Sequence, residues 1–200
     1  MLLDAQDSHL VLVDYQQRLM PALHEGDAAL ANACRLARIA QVLGVPMVVT
    51  EQNPAGLGPT AQVLRELVPG PAVTKMDFSA AADLMPRLRP PVRTGGGNAR
   101  SLPKHLQKPV PAAPVRSSLV LAGCEAHVCL MQTALDLLDE EFEVWVVTDA
   151  CTSRTERNRD AAFDRLAGAG AELVTTEMVA FEWLRGAEHP QFKEVLGWIK

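Results

Sequence analysis

The stretch Ser118–Ala150, SLVLAGCEAHVCLMQTALDLLDEEFEVWVVTDA, decides the fold. Its apolar run Leu119-Val120-Leu121-Ala122 stops at Gly123. A helical pattern follows from near Ala126 to about Glu140, and a second apolar run, Val144-Trp145-Val146-Val147, ends in Thr148-Asp149. Apolar runs of this length read as buried strands, and the helical spacing between them marks the connection. Strand, turn, helix, strand is a βαβ unit, which implies a parallel sheet. Cys129 falls in the first turn of that helix. The dipole and unpaired N–H groups there favour a thiolate and can hold an oxyanion. Read alone, Cys129 is first of all a core thiol, because free cysteine is among the most buried residue types.

The alternation continues outward in both directions. His9–Asp14 (HLVLVD) is a buried strand ending in an acid, placed either for catalysis or as a cap. Asp27–Leu43 is an amphipathic helix stopped by Gly44, and Val45–Thr50 is the second strand. The loop Glu51–Thr60 (EQNPAGLGPT) lies at the same strand end as Asp14 and lacks the glycine spacing of a nucleotide site. A short helix at about Ala61–Leu67 precedes the strand Ala72-Val73-Thr74, with Lys75 at its end, and Ala80–Leu88 is helical. Downstream, Cys151–Arg159 leads into a helix at Asp160–Leu166, a strand at Glu172–Thr175, and a helix at Glu177–Leu184 capped by Thr176. An amphipathic tail helix ends the chain. The prediction is one domain over residues 1–200: a three-layer αβα, doubly wound fold with about six mainly parallel strands covered on both faces. Cys34 and Cys124 read as core residues, and Trp145 and Trp183 as core or subunit-interface aromatics.

One segment departs from this pattern. Arg87–Arg116 carries seven Lys/Arg, no Asp or Glu, and prolines at 90, 91, 103, 109, 111 and 114 around Gly95-Gly96-Gly97. It reads as a basic, Pro/Gly-rich surface loop inserted at about 89–117.

With 48% hydrophobic residues, the 200-residue chain can build a substantial core. A net charge of −5 argues against general nucleic-acid binding. No secretory pattern opens the sequence, and no apolar run is long enough for a bilayer. The four cysteines show no paired zinc or redox spacing. The expectation is a soluble cytoplasmic protein with reduced thiols, no membrane partner and no nucleic-acid partner.

Asp14, Lys75 and Cys129 share one position type, just past the carboxyl end of a buried strand or in the turn after it. In a doubly wound sheet such ends converge. The three make a workable nucleophile site: Lys75 and the helix dipole lower the thiol pKa, and Asp14 takes the thiol proton and later activates water.

These residues, with Asp14-Tyr15-Gln16, Lys75 with Phe78-Ser79, and Gly123-Cys124-Glu125-Ala126-His127-Val128-Cys129, resemble the isochorismatase-like cysteine hydrolases, a family that includes the nicotinamidases. Thr50-Glu51-Gln52, Gly56–Thr60, Leu135–Asp139, Asp149-Ala150-Cys151 with Ser153-Arg154, and His189–Glu194 are similar to the branch of isochorismatase domain-containing proteins. The resemblance spans nearly the whole chain. It implies a catalytic triad of Asp14, Lys75 and Cys129, a cis peptide between Cys124 and Glu125, and an oxyanion hole from the backbone N–H groups of Glu125 and Cys129. Tyr15, Gln16, Gln52, Phe78 and His127 become candidate pocket residues. The implied reaction is hydrolysis of an amide-type C–N bond in a small molecule through a cysteine thioester, by a homo-oligomeric enzyme. The Asp-x-His metal motif of nicotinamidases is missing where this chain reads Glu51-Gln52-Asn53-Pro54, so no metal and no other cofactor is expected, and nicotinamide ranks low as substrate. The alternative is a non-catalytic scaffold on the same fold.

Overall fold

The computed structural model describes residues 2–90 and 116–199. All but the ends of the basic insertion expected at 89–117 lie outside the described residues. Among the described residues six strands form one parallel sheet: β1 Ser8–Val13, β2 Met47–Gln52, β3 Val73–Lys75, β4 Ser118–Gly123, β5 Glu143–Val147 and β6 Glu172–Val174. Their order across the sheet is β3-β2-β1-β4-β5-β6. The helices are α1 Gly26–Leu43, the single turns α2 Pro54–Leu57 and α3 Gln62–Arg65, then α4 Ala81–Leu88, α5 Met131–Asp139, α6 Glu156–Gly168, α7 Thr176–Leu184 and α8 Phe192–Ile199.

The central strands lack polar–apolar alternation because both faces are covered. Leu10, Val11, Leu12 and Val13 of β1 are all inaccessible, as are Leu119, Val120, Leu121 and Ala122 of β4. Continuous apolar runs are the signature of such two-sided burial. Trp145 and Trp183 both belong to this core, and the Trp183 indole donates to Ser8 Oγ at 3.0 Å. From β1 the chain winds one way through β2 and β3, and from β4 the other way through β5 and β6. The strand order therefore reverses between β1 and β4, and a crevice opens beyond the carboxyl ends of these two strands.

Several boundaries differ from those read in the sequence. The helix expected from Ala126 starts as a π-helical turn, Ala126–Leu130, before α5 proper. Strand β2 runs on to Gln52, because Gln52 pairs with Lys75 of β3. Helix α6 starts at Glu156, four residues before its expected start. The expected cap of α7 is corrected by one residue: the Thr175 side chain accepts from the Met178 N–H, while the Thr176 hydroxyl bonds Asp149 Oδ1.

Candidate active site

Three strand ends meet at the crevice. Gly123 brings β4 so close to β1 that a Cβ there would stand 2.6 Å from both the Cβ and the carbonyl oxygen of Val13. The next amide, Cys124 N–H, donates to that same carbonyl at 2.9 Å. Across the gap, Asp14 leaves β1 in the left-handed region, with φ 56°. Its N–H donates to the Thr50 carbonyl at 3.3 Å. Aspartate tolerates this region better than most side chains.

Lys75 reaches Asp14 from β3, two strands away. Its Nζ lies 2.7 Å from Asp14 Oδ2, and both side chains are wholly buried. Nζ also donates to the Phe78 carbonyl at 2.9 Å and the Asp77 carbonyl at 3.3 Å. The ammonium has three protons, and these three acceptors use them all. The other carboxylate oxygen, Oδ1, accepts from the Thr50 hydroxyl at 2.6 Å.

Cys129 sits in the π-helical turn after β4, buried to 7% exposure. Burial, and then the negative charge of Asp14, push its thiol up to about 12, with Lys75 pulling the other way. The sequence expectation of a lowered thiol pKa is thus overturned. Lys75 is spent on Asp14, and the carboxylate it neutralises is what the thiolate would have to face.

The peptide between Cys124 and Glu125 is cis, as the resemblance implied. The segment 152–154 straps this loop in place. Thr152 N–H donates to the Gly123 carbonyl at 3.3 Å, and the Thr152 carbonyl accepts from Ala126 N–H at 2.8 Å. The mostly buried Glu125 carboxylate takes Arg154 in a fork, Nε at 2.6 Å and Nη2 at 3.2 Å. The Glu125 N–H takes no partner among the described residues.

The candidate pocket residues divide. Tyr15 is corrected to a core residue: it is 1% exposed, and its hydroxyl donates to the Ala150 carbonyl. Gln16 is buried as a brace, donating to the Gln52 and Gly58 carbonyls and accepting from Gln52 N–H. It shapes the Glu51–Thr60 loop through backbone contacts and has no surface to offer a ligand. Gln52 is half-buried and bonds the Met76 carbonyl, Phe78 is exposed, and half-buried His127 places Nδ1 3.0 Å from Ser153 Oγ. Glu51, where the metal motif of nicotinamidases would fall, spends one carboxylate oxygen on the Thr60 N–H and hydroxyl, both at 2.8 Å.

Two participants were missed as site residues. Thr50 could have been suspected as the one hydroxyl closing the otherwise apolar VPMVVT. Arg154 stood out only within the Ser153-Arg154 resemblance, and its pairing had no local signal, since only the fold brings it to Glu125. A separate cavity of about 560 Å3 opens between α1 and α6, lined in part by His24, Asn32, Asp149 and Arg159, and it contains none of the three candidate catalytic residues.

Comparisons with known proteins bear on the family and the fold. The isochorismatase domain matches residues 8–178. Isochorismatase domain-containing protein 2 of Bos taurus is 36% identical over 193 residues, covering 96% of this chain and 83% of its own. Isochorismatase domain-containing protein 1 of Danio rerio is 36% identical over 187 residues, covering 94% of this chain, which spans only 59% of that relative's length. Among solved structures, the MAR1 ribonuclease from Caenorhabditis elegans superposes with a TM-score of 0.84 at 30% identity, covering 100% of this chain and 92% of that one. YcaC from Pseudomonas aeruginosa, solved with hexane-2,5-diol and covalent acrylamide, gives 0.76 at 26% identity, with 98% and 91% covered. The Escherichia coli YcaC product, described as an octameric hydrolase of unknown specificity, gives 0.77 at 25% identity, with 98% and 95% covered.

Proposed function

The chain belongs to the isochorismatase family, and from that premise we propose that it is a metal-independent cysteine hydrolase that cleaves the C–N bond of a small amide. The observation that carries this reading is the wholly buried Asp14–Lys75 pair, 2.7 Å apart, set beside the buried Cys129 thiol where the strand order reverses. Two buried charges are costly to keep, and a base beside a nucleophile gives them a use.

Since the thiol holds its proton at rest, Asp14 removes it as the sulfur attacks the carbonyl carbon. The carbonyl oxygen becomes an oxyanion held by the N–H groups of Glu125 and Cys129, a type of contact worth roughly 3 kcal/mol in such sites. Protonated Asp14 then hands its proton to the departing nitrogen. The C–N bond breaks, the amine or ammonia leaves, and a thioester remains on Cys129. Water attacks next with Asp14 again as base. The C–S bond breaks, and the Cys129 sulfur recovers its proton from Asp14. Lys75 donates none of these protons, because its three are bonded to Asp14, Phe78 and Asp77. Its part is to hold the carboxylate in place.

Covalent acrylamide in the P. aeruginosa neighbour supports a nucleophile on this fold, and the octameric E. coli neighbour supports a homo-oligomer here. The C. elegans neighbour is named a ribonuclease. A net charge of −5 opposes the approach of RNA phosphates, so that activity is not adopted.

The test is a screen of small uncharged amides for amine release, with Cys129→Ala alongside and intact-mass detection of the acylated chain. Turnover should fall at least about a hundredfold in the Ala variant, with the acyl adduct lost. Hydrolysis that survives Cys129→Ala refutes the thioester route. A chain that hydrolyses nothing and takes no acyl group is a scaffold.

A further inference from the structure

Resting on the hydrolase reading, we infer that Thr50 is a positioning residue of the reaction, a fourth member that locks the carboxylate plane of Asp14. An aspartate carboxylate has a broad, weakly restrained terminal torsion, so one partner does not fix it. Here each oxygen has its own donor from a different strand: Lys75 of β3 on Oδ2 at 2.7 Å, and Thr50 of β2 on Oδ1 at 2.6 Å. Thr50 also holds the other side of the same residue, since its carbonyl accepts the Asp14 N–H. The register of β2 against β1 pairs Thr50 with Val13, and this delivers the hydroxyl to the residue that follows.

The hydroxyl is the informative atom. Val48 and Val49 precede Thr50 in a buried strand, and Thr50 itself is 0% exposed. Valine has the same shape and would fill the place without a polar group to satisfy, whereas a buried hydroxyl costs free energy unless it is bonded. Thr50 has a single proton to donate, and Asp14 receives it. Its effect is therefore exerted on the base alone. Asp14 must meet the thiol proton, then the leaving nitrogen, then a water, so a carboxylate free to swing misses alignment at each step. Because its one proton is spent on Asp14, the Thr50 hydroxyl has none to offer substrate. Its loss should reduce turnover and leave KM in place.

p-Nitrophenyl acetate separates the steps: a burst of p-nitrophenol reports acylation of Cys129, and the steady state reports hydrolysis of the thioester. Thr50→Val, Thr50→Ala and Thr50→Ser are compared with the full wild-type chain, each checked for a native circular dichroism spectrum. The Ala variant serves if the Val variant fails to fold. Acylation and deacylation should each fall about tenfold or more in the Val or Ala variant, which leaves KM within about twofold of wild type, with most of both rates recovered in the Ser variant. A folded Val or Ala variant that deacylates at the wild-type rate overturns the inference and leaves the hydrolase reading intact. So does a Ser variant as slow as Val. A wild-type chain with no p-nitrophenol release dependent on Cys129 overturns the hydrolase reading itself, and this inference with it.

Discussion

A thiol pushed up to about 12 is neutral at physiological pH, so in the proposed reaction Cys129 becomes a nucleophile only as Asp14 takes its proton. The same carboxylate also raises the thiol pKa, since a thiolate would form beside a negative charge. Replacing Asp14 with Asn should therefore pull two properties apart. With Lys75 no longer opposed, the Cys129 pKa should drop below about 12, burial still holding it up. Alkylation of the thiol near neutral pH would speed up accordingly. Hydrolysis, in contrast, should fall by about 10²–10⁴, the usual share of a positioned base. Iodoacetamide alkylation against pH, run beside amide turnover, reads both. An Asn variant whose thiol titrates where the wild type does would show that Asp14 is not the group holding the proton on Cys129.

At the level of strands and helices, β4 and the turn after it bear the closest tolerances. Gly123 is needed for space, not for a special backbone angle: an added Cβ would meet Val13 atoms at 2.6 Å, including a backbone oxygen that cannot rotate away. Gly123→Ala should force β1 and β4 apart, at a cost of about 1–3 kcal/mol in urea denaturation. It should also slow turnover, because Asp14 follows one strand and Cys129 the other. An alanine variant with wild-type stability and rate would mean that this approach has slack. Much at this scale was legible beforehand. Short apolar runs bounded by turn signals, such as Leu10–Val13 and Leu119–Ala122, read as buried strands, and the ends of these two and of the strand before Lys75 put Asp14, Lys75 and Cys129 in one crevice. What escaped was set by contacts distant in sequence. Thr50 looked like ordinary β-branched strand filling until the register placed its hydroxyl on Asp14. Tyr15, adjacent to Asp14, looked like a pocket residue, but its hydroxyl finds Ala150, 135 positions along the chain. The direction of the Cys129 shift was misread because sequence shows the helix end and Lys75 but gives no measure of burial.

Across the whole molecule the sheet has two chemically distinct ends. The carboxyl end holds Asp14, Lys75 and Cys129. At the amino end, Asp7, His9 and Arg116 cluster around the start of β1, where Arg116 Nη1 bonds the carbonyls of Ala5 at 2.7 Å and Ser8 at 3.0 Å. Burial, then the Arg116 charge, hold His9 below its ordinary 6.5, with Asp7 opposing. Asp7 is held below its ordinary 3.8: burial pushes it up, but hydrogen bonds from Ser117 and Ser118 and the charge of Arg116 outweigh this. Both signs point the same way. A group with a depressed folded pKa stabilises above its unfolded value, and that stability is lost as pH falls toward the folded one. For His9 the loss begins as the pH drops through 6.5, where the unfolded chain takes up a proton that the folded chain refuses. For Asp7 the loss starts only below 3.8. His9→Gln should therefore flatten the thermal midpoint between pH 7 and about 5, while leaving the steeper acid loss attributable to Asp7. The gain at the acid side of that window should be under about 1 kcal/mol, since His9 keeps part of its surface in water. Because His9 lies at the opposite end of the sheet from the crevice, the variant should keep the wild-type pH profile of hydrolysis. Thermal melts and amide turnover measured over the same pH series test both claims. A midpoint that falls as steeply in the Gln variant as in the wild type would place the titrating group elsewhere. A shifted activity profile would mean that the two ends of the sheet are coupled through β1.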